Sequence, residues 1–322
     1  SDVCSSDLIS LISNICHILY CLNFGFLIFF LYNPMELTNP FTFLKLISMN
    51  KKFNLFVADV DGTLRSRTVR IPQKETIQAF EKMHQEGMIV GIASGRPLWQ
   101  GLKDHHKEWK LSFQFDFLIG MNGGEIWEKS TNKTTQYNPL TVEQLKAIVE
   151  TFKDIQGINP FVYRDGYELS RYIDDEIIQS GLRHSCKVEA CTSDADLYAE
   201  PTGKILYRCD SIAIADELEH LGKTILPKEI ACFKTNDTLV ELQNTSVTKG
   251  SGITHFCHEH NIPFSSVIAF GDAENDIEML KYAGWSVCLK NGMDDVKAIT
   301  DDITEYTSSE DGVGKYLLKN IL

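Results

Sequence analysis

Five residues, Asp59-Val60-Asp61-Gly62-Thr63, constrain this chain more than any other stretch. They follow Phe53-Asn54-Leu55-Phe56-Val57-Ala58, a short and mostly apolar run. Such a run reads as a strand buried on both faces, the kind from which parallel sheets are built. In open α/β sheets, ligands bind at the carboxyl ends of the strands. Two carboxylates two residues apart at that end are costly to bury without partners. They require a metal cation, a hydrogen-bond network or both. The alternative is a plain Asp-Gly turn in which one carboxylate caps a helix. The remainder of the chain decides between them.

The same pattern recurs far along the sequence. Val267-Ile268-Ala269-Phe270 reads as a second buried strand, followed by Gly271-Asp272-Ala273-Glu274-Asn275-Asp276 and a helix from Ile277 to Tyr282. Three acids and an amide in one turn suit a cation that takes hard oxygen ligands. A solvated helix start, with acids favoured by the dipole, is the competing reading.

Between these turns, Pro72 opens a helix to about Glu86, with Ile77, Phe80 and Met83 on its apolar face, and Gly87 stops it. Met88 to Ala93 is the next strand. It ends in Ser94-Gly95-Arg96-Pro97, and a helix is expected near Pro97. A hydroxyl and free N–H groups at such a turn hold phosphate, although a Ser N-cap has the same composition. Phe115 to Gly120 reads as a third strand. Asn122-Gly123-Gly124 is a turn, and Glu125–Trp127 with Thr134–Tyr137 forms a hairpin. Pro139 and Thr141 start a helix to about Lys153. Lys249 stands just ahead of a helix that runs from Ser251 to His260. A cation there opposes the macrodipole, which favours a role beyond solvation. Trp285 to Leu289 is a further strand, ending in Lys290-Asn291-Gly292, and Asp311-Gly312-Val313 opens the last helix.

From Leu140 to Glu241 the character changes. Helices and short strands alternate without acidic turns at the strand ends. Candidate strands are Asn159–Arg164, Ile205–Arg208 and Leu239–Leu242. The segment reads as an inserted α+β domain, 140–241, which divides an α/β core of residues 49–139 and 242–322. Its cations include Arg164, Arg171, Arg183, Lys204 and Arg208. Most are expected to be solvated, with one or two facing the cleft.

A length of 322 residues allows two domains, each with its own core. A net charge of −13 argues against nucleic acid or anionic membrane as the main partner. It does not exclude a phosphorylated substrate, because a metal and a few cations reverse the field inside a cleft. Nine cysteines without a CxxC spacing argue against a zinc site or disulfide framework and suit a reducing compartment.

Residues 1–48 stand apart. Leu8 to Tyr32 carries no charge and is long enough for a transmembrane helix. Asp2 and Asp7 precede it, while Lys45, Lys51 and Lys52 follow, so an anchor would leave the bulk of the chain in the cytoplasm. A second reading competes. The chain begins with Ser1, and Met49-Asn50-Lys51-Lys52 sits just ahead of the first strand, as a natural start would. The opening Ser1-Asp2-Val3-Cys4-Ser5-Ser6-Asp7-Leu8 resembles translated sequencing-adapter sequence. The expectation is a cytoplasmic protein with a non-native upstream translation, with a membrane anchor at 8–32 as the alternative.

Two acidic turns, one Ser-Gly turn and one lysine on the same side of a parallel sheet permit a definite chemistry. Oxygen ligands from two loops suit Mg²⁺. A carboxylate beside it can attack phosphorus, and a second one can move the proton. In their order, Asp59-Val60-Asp61-Gly62-Thr63, Ser94-Gly95-Arg96, Lys249-Gly250 and Gly271-Asp272-Ala273-Glu274-Asn275-Asp276 resemble the four motifs of the haloacid dehalogenase-like superfamily, and in particular its Cof-type phosphatases with a type IIB cap. The resemblance covers about Met49 to Leu322.

It implies a Rossmann-like, doubly wound parallel core and a mobile cap at 140–241. By position, Asp59 would be the nucleophile and a Mg²⁺ ligand. Asp61 would be the general acid/base, with its carbonyl on the metal. Asp272 would complete the protein ligands, supported by Asn275 and Asp276. Thr63, Ser94, Gly95, Lys249 and Asn291 would bind the substrate phosphate. Gly292 departs from the Asn-Ala pair usual beside Asn291, which weakens that last assignment. The implied activity is Mg²⁺-dependent hydrolysis of a small phosphorylated metabolite, such as a sugar phosphate, through an aspartyl-phosphate. A phosphosugar mutase, or a non-catalytic phosphate-binding regulator, is the alternative on the same fold.

Overall fold

The computed structural model describes residues 53–322. The possible anchor at 8–32 and the rest of 1–48 lie outside them. Among the described residues, no helix is long and apolar enough to cross a membrane.

Eight strands form the larger sheet: β1 (Leu55–Asp59), β2 (Ile89–Ala93), β3 (Phe117–Gly120), β4 (Glu125–Glu128), β5 (Lys133–Gln136), and, after the insert, β12 (Val267–Gly271), β13 (Trp285–Cys288) and β14 (Asp302–Ile303). Their order is β14-β13-β12-β1-β2-β3-β4-β5. Pairing is parallel from β14 to β3, and the β3-β4-β5 edge is antiparallel. The chain winds outward from β1 in both directions, so the switch point lies between β1 and β12. This is where a doubly wound sheet opens a crevice.

Strand β1 is buried along its whole length. Its alternate side chains serve two cores. Phe56 and Ala58 join one with Phe80, Trp109, Phe115 and Phe270, while Leu55 and Val57 join the other with Phe117, Ile119, Ile253 and Phe256. A strand covered on both faces must be apolar throughout, which is why this segment shows no alternation.

The first helix runs from Lys74 to Gln85 and buries Thr76, Ala79, Phe80 and Met83. It starts later than Pro72. Its N-cap, Gln73, makes no capping bond. The cap arrives from the far end of the chain instead. Asp311 accepts from the N–H groups of Glu75 and Thr76 at 2.7 and 3.1 Å. The helix expected near Pro97 is two short pieces, Gln100–Lys103 and His105–Glu108.

The insert builds the second sheet, of six strands: β6 (Ile158–Arg164), β7 (Tyr167–Ser170), β8 (Lys187–Ala190), β9 (Lys204–Cys209), β10 (Ile230–Asn236) and β11 (Leu239–Asn244). The order is β10-β11-β9-β6-β7-β8. Helices Val142–Phe152 and Ile212–Ile225 cover one face around Phe152, Val162, Tyr207 and Leu218. Phe161, Tyr163 and Leu206 on the other face pack against Met121, which stands at the end of β3. The insert therefore rests on the carboxyl edge of the larger sheet, above the crevice. Cys186, Cys191, Cys209, Cys232, Cys257 and Cys288 are free thiols.

Candidate active site

Strand register sets the floor of the site. Asp59 pairs in register with Ala93, and Ala58 with Phe270. Asp59, Ser94 and Asp272 thus stand side by side at three strand ends. Gly62, at φ +106°, turns the chain so closely over Asp272 that a Cβ there would lie 2.4 Å from its Oδ2.

The carboxylates of Asp59, Asp272 and Asp276 lie within 4.8 Å of one another, all buried. Lys249 reaches them from the first turn of the helix Lys249–Glu259, whose N-terminus is fixed by a capping box between Thr248 and Ser251. Lys249 is 1% exposed, and its ammonium bonds Asp59 Oδ1 at 2.5 Å and Asp276 Oδ1 at 2.6 Å. Burial works against the lysine's charge, but Asp276 and Asp59 outweigh it and hold its pKa above the ordinary value. Burial pushes the Asp59 carboxyl up to about 7, with Lys249 opposing and Asp276 and Asp272 adding to the rise. Burial also raises Asp272, against a hydrogen bond from Thr63 Oγ1 at 2.7 Å.

One ammonium cannot neutralise three buried carboxylates. The imbalance, and a donor set made of oxygens from two loops, fit a hard divalent cation. Asp276 is the most committed of the three. Its Oδ2 accepts from the N–H groups of Asp272 and Ala273 at 2.9 and 3.0 Å, while its Oδ1 takes Lys249.

Asp61 faces elsewhere. Its Oδ2 lies 2.6 Å from Arg96, and its Oδ1 lies 3.0 Å from Arg65. The second carboxylate is therefore held off the three-acid cluster by two guanidiniums, at the mouth of the crevice. Ser94 Oγ accepts from the N–H of Arg96 at 3.2 Å, which rounds the turn after β2. Gly95 gives its carbonyl to Lys204 of the second sheet at 2.8 Å. Asn291 donates to the Gly62 carbonyl at 2.8 Å and accepts from the N–H of Ser308 at 2.7 Å, so it braces the first motif from behind. Asn275 donates to Asn122 Oδ1 at 3.2 Å.

Sequence reasoning missed Asn122, Arg65 and Arg67, and gave Arg96 of the second motif no role of its own. Asn122 is buried with φ +54° at the end of β3, and its amide donates to Glu241 Oε1 at 3.1 Å on the second sheet. The signal for it was its place in the turn after a third parallel strand. Arg65 and Arg67 belong to the loop that follows the first motif. Of the insert's cations, Lys204 and Arg183 turn toward the core. Arg171 and Arg208 pair instead with Asp194 and Glu176, within the insert.

This geometry agrees with three comparisons. The Bacillus subtilis 5-amino-6-(5-phospho-D-ribitylamino)uracil phosphatase YitU is 26% identical over 275 residues, which cover 84% of this chain and 98% of that protein. The crystal structure of a haloacid dehalogenase-like hydrolase from Bacteroides thetaiotaomicron superposes with a TM-score of 0.74 at 23% identity, covering 83% of this chain and 99% of the other. The subclass IIB sugar phosphatase BT4131 superposes with a TM-score of 0.68 at 21% identity, covering 82% of this chain and 98% of the other. The family pattern of haloacid dehalogenase-like hydrolases matches residues 56–317. The chain belongs to the haloacid dehalogenase-like hydrolase family of enzymes.

Proposed function

We propose that this enzyme is a Mg²⁺-dependent phosphatase that hydrolyses a small phosphorylated metabolite, of the sugar-phosphate kind, through an aspartyl-phosphate on Asp59. The observation that carries this reading is the buried Asp59–Lys249 pair at the switch point, with Asp272 and Asp276 beside it. Relatives such as YitU are phosphatases of small phosphorylated compounds by name, which supports the same class.

Asp59, Asp272 and the carbonyl of Asp61 would hold the ion, with Asp276 and Asn275 behind them. When bound, Mg²⁺ neutralises carboxylate charge and polarises the phosphoryl group. The chain's own residues do the remainder. Lys249 holds Asp59 Oδ1, orienting the carboxylate, and offers charge to the phosphoryl oxygens, which Ser94 and the Gly95 amide also bind, while Thr63, expected on the phosphate, has its hydroxyl on Asp272. Attack by Asp59 forms its bond to phosphorus as the bond to the leaving oxygen breaks. Asp61 gives its proton to that oxygen. Water then attacks the same phosphorus, loses a proton to Asp61, and releases phosphate from Asp59. Asn291 supports the Gly62 carbonyl throughout.

The segment from 140 to Asn244, three residues past the boundary expected at 241 because β11 runs that far, acts as the cap on the remaining core, excluding water and selecting the substrate. Free thiols suit a reducing setting, for which we propose the cytoplasm. The test is release of phosphate from p-nitrophenyl phosphate and a panel of sugar phosphates, with Mg²⁺ and with EDTA. Asp59→Asn should abolish release. Full activity in that variant would exclude the covalent mechanism.

A further inference from the structure

Next to the acidic cluster lies a feature of opposite sign. A cavity of about 260 Å³ opens between the core loops and the cap. Arg65, Arg70 and Arg96 line it from the core, and Arg183 lines it from the last turn of the cap helix Asp175–His184. Four guanidiniums around one cavity reverse the balance of a chain whose net charge is −13. The acids on its wall are engaged. Asp104 pairs with Lys107 at 2.7 Å, and Glu108 with His105 Nδ1 at 3.1 Å. Arg70 and Arg183 have no ion-pair partner among the described residues.

His105 lines the same cavity. It is 5% exposed, and its Nε2 has no hydrogen-bond partner. Burial, with Arg65 and Arg96 close by, pushes its pKa down to about 3, so the ring is neutral. Its Nδ1 meets Glu108, and its Nε2 is buried without a partner, so the ring adds no charge to this wall. The mouth of the cavity also joins the chemistry. Arg65 and Arg96, two of its walls, are the residues that hold Asp61.

We propose that this cavity seats a second anionic group, a phosphate or a carboxylate, carried on the leaving-group side of the substrate. The enzyme then selects phosphomonoesters with an anion at both ends. The inference rests on the phosphatase reading with Asp61 as the acid. The leaving oxygen must lie beside Asp61, so the remainder of the leaving group extends toward the arginines that hold it. Guanidinium forks match the planar edge of a carboxylate or phosphate. A guanidinium carries five donors, so Arg65 and Arg96 keep capacity beyond their bonds to Asp61. Arg70 and Arg183 supply charge from opposite walls, one on the core and one on the cap. An anion between them would draw the cap onto the core and link substrate choice to closure.

The experiment compares kcat/KM, with Mg²⁺, for two matched pairs: a hexose bisphosphate against its monophosphate, and phosphoglycerate against glycerol phosphate. The first pair reports a phosphate in the cavity and the second a carboxylate. The doubly anionic member of at least one pair is expected to be favoured by about tenfold or more. Arg183→Gln and Arg70→Gln, at exposed positions where folding is not at stake, should each cut that ratio by about fivefold or more, chiefly through KM. No preference in either pair, or a preference that survives both substitutions, overturns the proposal. Hydrolysis of p-nitrophenyl phosphate without pair selectivity rejects the second anion site alone. Absence of hydrolysis of every phosphomonoester rejects the phosphatase reading, and this inference with it.

Discussion

Lys204 of the inserted domain donates to the carbonyl of Gly95 at 2.8 Å, next to Ser94 in the turn after β2. The same ammonium pairs with Glu241 at 2.9 Å, and both side chains are buried. Asn122 bonds Glu241 from the core side. The inserted domain thus grips the Ser94-Gly95 turn, the proposed phosphate site, through a chain of buried polar groups. Removing one partner of a buried pair leaves an uncompensated charge and costs more than the pair contributes. Lys204→Met is expected to lower stability by about 3 kcal/mol, read by urea unfolding. Adding Glu241→Leu should recover most of that loss, while hydrolysis stays impaired because Gly95 has lost its tether. An unfolding midpoint unchanged in Lys204→Met would refute this account.

The buried Asp59 makes stability depend on pH. Its carboxyl moves from 3.8 to about 7 on folding, so the folded state holds the proton more tightly than the unfolded chain. The stability this contributes is complete below about pH 4 and is lost as pH rises through about 7. Asp272, raised by the same burial, acts in the same direction. In EDTA, the wild-type Tm should fall between about pH 5 and pH 8, and that of Asp59→Asn should fall less. Mg²⁺ should restore Tm most at the alkaline end, where it no longer competes with protons. Identical Tm profiles for the two proteins would contradict the burial of an ionising Asp59.

Gly62 and Gly87 give a matched comparison. Both have positive φ, at +106° and +77°. A Cβ on Gly62 would overlap the Asp272 carboxylate, whereas one on Gly87 meets nothing within 4 Å. Gly87→Ala should cost only backbone strain, about 1 kcal/mol, without changing turnover. Gly62→Ala should push Asp272 from its place, lower activity about a hundredfold and weaken Mg²⁺ binding by calorimetry. Equal effects at the two positions would mean that the close approach to Asp272 is unimportant.

What the sequence revealed follows from what is local. A strand buried on both faces must be apolar, so Leu55–Asp59 and Val267–Gly271 announced themselves, and the acids after them stood out. The helix Ile277–Tyr282 was legible for the same reason, since its acidic start is contiguous. Contacts made across the chain were not legible. Nothing near Lys74 indicates that Asp311 will cap that helix, so its start was placed too early at Pro72. Nothing in Arg70 or Arg183 alone shows that both will line one cavity. Asn291 reads as part of a polar turn after a strand, yet its two bonds join Gly62 to Ser308. Strands β7 and β8 of the insert do alternate apolar and polar residues, but over four residues only, and in β7 the buried positions are the polar Glu168 and Ser170, which inverts the usual signal.

Asp276 and Lys249 should behave as one unit. Asp276 spends one oxygen on two backbone N–H groups of the Asp272 turn and the other on the lysine. An amide in its place offers only one acceptor oxygen, so its NH₂ must face either the ammonium or the two N–H donors. Lys249 would then lose one of its two carboxylate anchors and swing from Asp59. Asp276→Asn is expected to lower kcat by about 10²–10³, comparable to removing a transition-state donor. Lys249→Met should lower it by a similar factor. The double variant should be little worse than either single one, because each substitution already breaks the same arrangement. Rate losses that multiply in the double variant would show that Asp276 acts on the reaction independently of Lys249, as a direct ligand of the metal would.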